Sequence, residues 1–378
     1  MTETTSLNRV EISRSALRHN FRLCRRKAGT ARVMPMVKAD GYGHGMIECA
    51  RIFSEEGAAA FGVAESCEGR ILREAGIAEP IFVLVGMMEE SIPEMLRWNL
   101  TPVIVDGSLL SELSRQACDR GIEIGLHLKM DAGMGRQGCL PEEMPDIVRR
   151  VNGLPGVRLD GIMAHFPMAD DTASPNTMVV FSRFREAVAE VKTMLAPDCC
   201  LHIANSGGLF HFTSTALHMA RPGIALYGCY PDGRTHDEAG AEDMLRPVMR
   251  FVTRVIQVRK VPEGTGLGYG QAHVTTRPTI LAVLPVGYED GYLRSLSGRA
   301  RVLLHGRRVP VLGRISMNLT LVDVTDIPEE VRRGDEAVLL GRQGEETVSA
   351  DEVAAWMETI SYEVLCLFGN LNQRYYVP

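Results

Sequence analysis

With 378 residues, 45% of them hydrophobic, the chain can bury a large core and has room for a barrel of about 250 residues plus a second domain. A formal net charge of -6, with no lysine- or arginine-rich block, argues against nucleic acid and anionic membrane as partners and leaves a small molecule as the default ligand. No apolar stretch approaches the ~20 residues of a membrane span, the opening MTETTSLNRVEIS does not read as a signal peptide, and the nine scattered cysteines without a CxxC pair suggest reduced thiols in a cytoplasm.

In chain order, NRVEISRSALRHNFRLCRRK reads as a covering helix capped by Ser13 or Ser15 and carrying Leu17, Phe21 and Leu23. From residue 30 to about 230, apolar runs alternate with helical stretches such as MIECARIFSEEG and VVFSRFREAVAEVKTML. The strands are VMPMVKA, AFGVAE, PIFVLVG, TPVIVD, IEIGLHLKMD, LDGIMAHF, CLHIANS and ARPGIALYG. Eight βα repeats predict an α/β fold with a closed (β/α)8 barrel of the TIM type. Beyond about residue 240 the texture changes to short strands with turn signals, FVTRVIQVRKV, PTILAVLPVGY, ARVLLHGRRVPVLGR and LTLVDVT, with SADEVAAWMETI as the one clear helix. The boundary is expected in DGRTHDEAGAED, residues 232–243, giving a barrel over 1–240 and a mainly β domain over 241–378.

In a barrel enzyme the chemistry sits at the C-terminal strand ends. There the sequence places Lys38, Arg136 in DAGMGRQG, His165, Asn205 and Ser206 in HIANSGG, and Arg221 and Gly223 in ARPGIALYG. Taken singly, most of these read as solvated ends or helix caps; together on one rim they point to a site. Arginines, a lysine, a serine and amides near glycines suit an anion such as a phosphate. GYGHG and GLGYG do not match the dinucleotide pattern GxGxxG, and the histidines lack metal-ligand spacing, so no metal is expected.

The stretch VKADGYGHG, followed in order by KMDAGMGRQG, MAHFPMAD, HIANSGG, ARPGIALYG, GLGYGQ, VGYEDGY, GRISMN and TISYEVL, resembles the alanine racemase family along essentially the whole chain. The resemblance implies a pyridoxal 5'-phosphate enzyme, an isomerase interconverting L- and D-alanine for peptidoglycan synthesis. Lys38 would carry the cofactor as a Schiff base and serve as base on one face of the substrate. Tyr269, from the β domain of the partner in a homodimer with composite sites, would serve the other. Arg221 would face the pyridine nitrogen, with His165 behind it. Tyr42, Ser206, Gly223, Ile224 and Tyr362 match the phosphate-binding set, with Asn205 beside it, and Val37 and Leu84 would pack near the ring.

Arg136 resembles the arginine that meets the substrate carboxylate, and Met317 and Tyr288 match the partner's positions at the substrate and its access path. The lysine matching Lys129 is carbamylated in some members; here an ion pair with Asp131, on the same strand face, and a carbamate both stay open. Asn318 stands where the commonest pattern has aspartate, and Ser316 is one of several residues found beside that methionine, which keeps a racemase of serine or of broader range as the alternative. A pyridoxal-phosphate decarboxylase fits less well, because such enzymes place an acid at the ring nitrogen and hold phosphate with a glycine-rich loop. A non-catalytic cofactor-binding barrel would lack the domain that supplies Tyr269.

Overall fold

The computed structural model describes residues 6–234, 240 and 243–378; residues 235–239 and 241–242 of the expected boundary stretch lie outside the described residues. The chain forms two compact units, one of residues 17–41 and 46–245, the other of residues up to Ala16, 42–45 and 246–378. The chain opens with β1 (Arg9–Ser13) and a helix, Arg14–Ala28. The Ser13 hydroxyl accepts from the amide of Ala16 at 3.2 Å, so Ser13 rather than Ser15 caps that helix.

Eight parallel strands build the first unit: β2 (Arg32–Val33), β3 (Phe61–Val63), β4 (Ile81–Val83), β5 (Thr101–Ile104), β6 (Ile124–Lys129), β7 (Val157–Met163), β8 (Cys200–His202) and β9 (Met219–Ala220). β3 to β8 pair in sequence order. The ring closes through the β2–β9 ladder, a bridge from Met36 to Gly62, and amide bonds from His218 to Leu201 and from Arg221 to Ala204. Helices such as Met46–Glu55, Ser66–Glu74, Leu110–Asp119 and Asn176–Val191 connect the strands. β3 and β4 are buried at every position, as expected of strands covered on both faces.

The barrel is filled rather than hollow. Met34, Ala60, Phe82, Val103, Met163, Cys200 and Met219 form an interior layer, with Leu84 packed half-buried against it. Each large side chain in it contributes roughly 1.5–3 kcal/mol by leaving water. Along β6 the two-residue period sends Leu126 and Leu128 to one face and His127 and Lys129 to the other. Gly161 on the neighbouring strand makes room for that histidine: a Cβ there would lie 2.2 Å from the His127 ring.

The second unit is a ten-stranded sheet in which β1 is an interior strand, antiparallel to β10 (Met249–Arg254) and parallel to the C-terminal strand, Arg374–Val377. This pairing makes the opening residues part of the β unit, although the sequence reads them as the start of a barrel cover. FVTRVIQVRKV is two strands, broken at Val255 and Ile256. The ARVLLHGRRVPVLGR stretch is a hairpin that turns at His305 and Gly306, both with positive φ. Beside the expected helix Ala350–Met357 there is a second one, Ser361–Leu371, which buries Val364, Leu365 and Phe368 at three- and four-residue spacing.

Candidate active site

Lys38 does not end a strand. The last ladder contact before it is at Met36, and it opens a left-handed turn in which Ala39, Asp40, Gly41 and Tyr42 have φ of 54°, 51°, 65° and 54°. For residues with a Cβ this conformation costs roughly 1–2 kcal/mol each, so the surroundings must impose it. The Glu68 carboxylate accepts from the amides of Ala39 at 2.8 Å and Ala64 at 2.6 Å. Asp40 accepts at 2.7 Å from the amide of Met46, where the next helix starts, and the Gly41 amide returns to the Val37 carbonyl at 2.8 Å. Val37, expected at the ring, is fully buried.

Arg221 follows β9 directly and is 3% exposed. Its guanidinium donates from Nη1 to His202 Nδ1 at 2.9 Å and from Nη2 to the carbonyls of Ala164 at 2.6 Å and Ile203 at 3.2 Å, with His165 Nδ1 at 3.4 Å. A guanidinium only donates, so His202 Nδ1 is an acceptor and its proton sits on Nε2, which donates to His127 Nδ1 at 2.8 Å. The column is therefore built from neutral imidazoles. Burial first, and then neighbouring cations, pull His127 down to about 3 and hold His202 and His165 well below the usual histidine range. Burial also lowers Arg221 to about 10, which leaves it charged at neutral pH, and none of these bonds uses its Nε.

Ser206, also buried, accepts through Oγ from the amides of Gly223 at 2.9 Å and Ala225 at 3.4 Å, which leaves its O–H to donate elsewhere. It thereby shapes the turn that leads into Ile224–Tyr227. Asn205, expected beside a bound phosphate, has a structural role as well: its Oδ1 caps the helix Ser206–His211 by accepting from Gly208, and its amide donates to the Phe166 carbonyl.

Lys129 is buried, and no ion pair to Asp131 forms. Asp131 Oδ1 instead accepts from the amides of Gly133, Met134 and Gly135, organising the loop that carries the exposed Arg136. The loop is pinned at its ends by a Met130–Cys139 bridge. Lys129 Nζ donates to Gln137 Oε1 at 2.7 Å. Burial, followed by the charges of Arg136, Arg221 and Lys38, lowers the lysine to about 8. The same groups act on His165, so Lys38, Lys129, Arg136, His165 and Arg221 converge on one basic mouth.

The β unit holds the remaining candidates. The Tyr42 and Tyr362 rings lie 6.1 Å apart at 46°, and burial pushes the Tyr42 hydroxyl above the usual tyrosine range. Tyr269 starts a one-turn helix between two glycines with positive φ and is 67% exposed; Met317 and Tyr288 are exposed too. The Tyr288 and Glu289 amides bond to the Ser316 and Met317 carbonyls, and the Asn318 side-chain amide donates to the Glu289 carboxylate. The negative charge expected to be missing at residue 318 is thus present on Glu289, and an asparagine is the partner that carboxylate can accept from. Sequence reasoning missed Glu68, His202, Gln137 and Glu289; the only local signal was His127 sharing a strand face with Lys129.

A parallel barrel whose strand ends gather basic groups around a buried, charged arginine is the architecture of a barrel enzyme with a place for an anionic group. The model of the alanine racemase N-terminal domain matches residues 12–231 and that of the C-terminal domain residues 248–376. The chain belongs to the alanine racemase family, whose members are isomerases. It is 42% identical to the alanine racemase of Syntrophobacter fumaroxidans over 361 residues, 95% of each chain. Its fold matches the alanine racemase structure from Clostridium difficile with a TM-score of 0.91 at 30% identity, covering 99% of this chain and 97% of that one. A structure of the Bartonella henselae enzyme with covalently bound pyridoxal phosphate matches with a TM-score of 0.88 at 25% identity, over 98% and 99% of the two chains.

Proposed function

We propose that this protein interconverts L- and D-alanine, with pyridoxal phosphate carried on Lys38 and with sites completed by a second copy of the chain. The observation that carries the reading is the buried, charged Arg221 directly after β9, bonded to His202 and beside His165, with Ser206 after β8 held by the amides of Gly223 and Ala225. The donor set fits the group: a lysine amine for its aldehyde carbon, a Ser206 O–H with its oxygen already pinned by two amides for its phosphate, and a buried guanidinium for its ring nitrogen. Pyridoxal phosphate, when bound, supplies an electron sink that acidifies the substrate's α-carbon proton.

The chain's own residues would then do the following. Lys38 Nζ takes or gives the α-proton on one face and the Tyr269 hydroxyl on the other, since inversion needs a base on each side. Arg221 donates a hydrogen bond to the ring nitrogen without transferring a proton, because its guanidinium stays charged at working pH. That limits how far charge flows into the ring and so disfavours proton return at the wrong carbon, which would lead to transamination. Arg136 holds the substrate carboxylate, and Ser206, Gly223, Ile224, Tyr42 and Tyr362 surround the phosphate, with Asn205 as the cap that positions Ser206. Leu84 and Val37 pack against the ring.

The exposure of Tyr269, Tyr288, Met317 and Leu319 supports their being covered in a homodimer. No disulfide is formed among the described cysteines, which supports residence in the cytoplasm, and the family supports a role in D-alanine supply for peptidoglycan. No helix among the described residues is long and apolar enough to cross a membrane. The test is a racemisation assay over a panel of small amino acids, with and without added pyridoxal phosphate. Alanine should lead the panel, serine should trail, and Lys38→Ala should cut the rate by about 10⁴-fold or more. Normal racemisation by Lys38→Ala would refute the reading.

A further inference from the structure

The candidate site lies at the C-terminal ends of the barrel strands; a cleft of ≈ 520 Å³ opens at their N-terminal ends. Arg32, Thr101, Cys200 and Met219, which line it, are the first residues of β2, β5, β8 and β9. His127, only 3% exposed, lines it too, and is the last imidazole of the column that starts at Arg221. His127 Nδ1 accepts from His202, so the proton of this neutral ring sits on Nε2. A Cβ on Gly161 would fall 2.2 Å from Cε1 and 2.4 Å from Nδ1, so that edge of the ring faces β7 and the Nε2 edge is left for the cleft. Among the described residues nothing accepts from this N–H, and a buried donor left unmatched is costly.

The charges around the opening are matched unequally. Arg158 is held by Asp160, at 2.6 and 3.0 Å, and by Glu123. Arg32 has no carboxylate partner among the described residues; its guanidinium donates to the Cys200 thiol, and its charge acts on His127. We propose that the N-terminal end of the barrel binds a small monovalent anion, which accepts from His127 Nε2 and balances the charge of Arg32. A cation and an N–H that both lack a partner are answered by one charged acceptor. Asp160 and Asp198, at the same opening, repel a second negative charge, so a halide or a small carboxylate suits the cleft and a phosphate dianion does not. Occupancy also loads the column. An anion on Nε2 makes His127 Nδ1 a better acceptor from His202, and His202 in turn a better acceptor from Arg221 at the far end. Binding itself does not depend on the function proposed above.

The experiment is nitrogen-15 NMR of the full-length protein labelled at histidine, titrated with sodium bromide at constant ionic strength in HEPES, beside anomalous diffraction from bromide-soaked crystals. The His127 Nε2 resonance, assigned by its loss in His127→Gln, should shift and saturate, His202 Nε2 should move with it, and anomalous density should lie beside His127 Nε2. Arg32→Ala, a change at an exposed residue outside the proposed catalytic groups, should weaken bromide binding by about tenfold, as loss of one charge-assisted bond implies. Arg32→Lys, which keeps the charge, should retain most of it. Sodium formate separates the two kinds of anion: a response at lower concentration than bromide assigns the cleft to carboxylates, a response to bromide alone to halides. No saturable His127 shift in the folded wild type with either anion, binding indifferent to Arg32→Ala, or bromide density confined to the C-terminal mouth would overturn the site. A His127 response with His202 unmoved would overturn the relay. The readout needs no turnover, so it is independent of whether the alanine assay succeeds.

Discussion

Three candidates of the barrel and three of the β unit are held in opposite ways. In the barrel, Lys129, Ser206 and Arg221 are buried and bonded in fixed orientations, whereas in the β unit Tyr269, Tyr288 and Met317 stand in solvent. The difference follows from what each surface does. Groups that hold a cofactor benefit from being pre-oriented in a low dielectric, while groups destined for a partner's site must be exposed until that partner arrives. On the function proposed above, one half of the site would be built by folding and the other by association.

If that division is right, Tyr269→Phe should remove a base without disturbing the barrel. The rate should fall by about 10²-fold or more for proton removal from one enantiomer and by less for the other, with cofactor absorbance unchanged. Equal, small losses in both directions would remove Tyr269 from the chemistry.

Next in size is an acid effect confined to the barrel. His127, pulled down to about 3, and His202 and His165, held well below the usual histidine range, stay neutral where an unfolded histidine gains its proton, so as pH falls below about 6.5 the unfolded chain binds more protons than the folded one. Their contribution to stability is complete above about pH 6.5 and is lost progressively as pH falls below it, for His127 until about pH 3, on the order of a few kcal/mol for a histidine this deeply buried. Thermal unfolding from pH 7.5 to 4.5 should show a falling midpoint. A midpoint that stays level over that span would contradict the neutral column.

The smallest effect belongs to the exposed side. Asn318→Asp would set a second carboxylate against Glu289 in place of an amide donor. It should loosen the loop by about 0.5–1 kcal/mol and raise KM for alanine modestly with little change in kcat. Salt should relieve the loss, because exposed like charges are screened; a loss indifferent to salt would mean that the Asn318–Glu289 bond is not the cause.

The same contrast governs what the sequence shows. Strand periodicity and the glycine-rich motifs reveal the eight barrel strands and the rim positions of Arg136, His165, Ser206 and Arg221, because strand ends follow from local pattern. What it hides are bonds between distant segments. His127 and His202 meet across 75 residues, Gln137 reaches back to Val85, and Glu68 holds the turn after Lys38 from the following βα unit. The left-handed conformation of Ala39, Asp40 and Tyr42 runs against local preference and is imposed by those contacts. The β1 strand is hidden for the same reason, since its partners lie more than 230 residues away.

The central claim, that the barrel of one copy works with the β unit of another, can be tested by complementation. Lys38→Ala and Tyr269→Phe proteins, each nearly inactive alone, are unfolded together, refolded at equal concentration and assayed for alanine racemisation. Mixed dimers pair an intact Lys38 with an intact Tyr269 in one of their two sites, so about a quarter of the wild-type activity should return for random pairing. If no activity returns although mixed dimers are demonstrably present, the two residues do not meet across copies, and the account of this site is wrong.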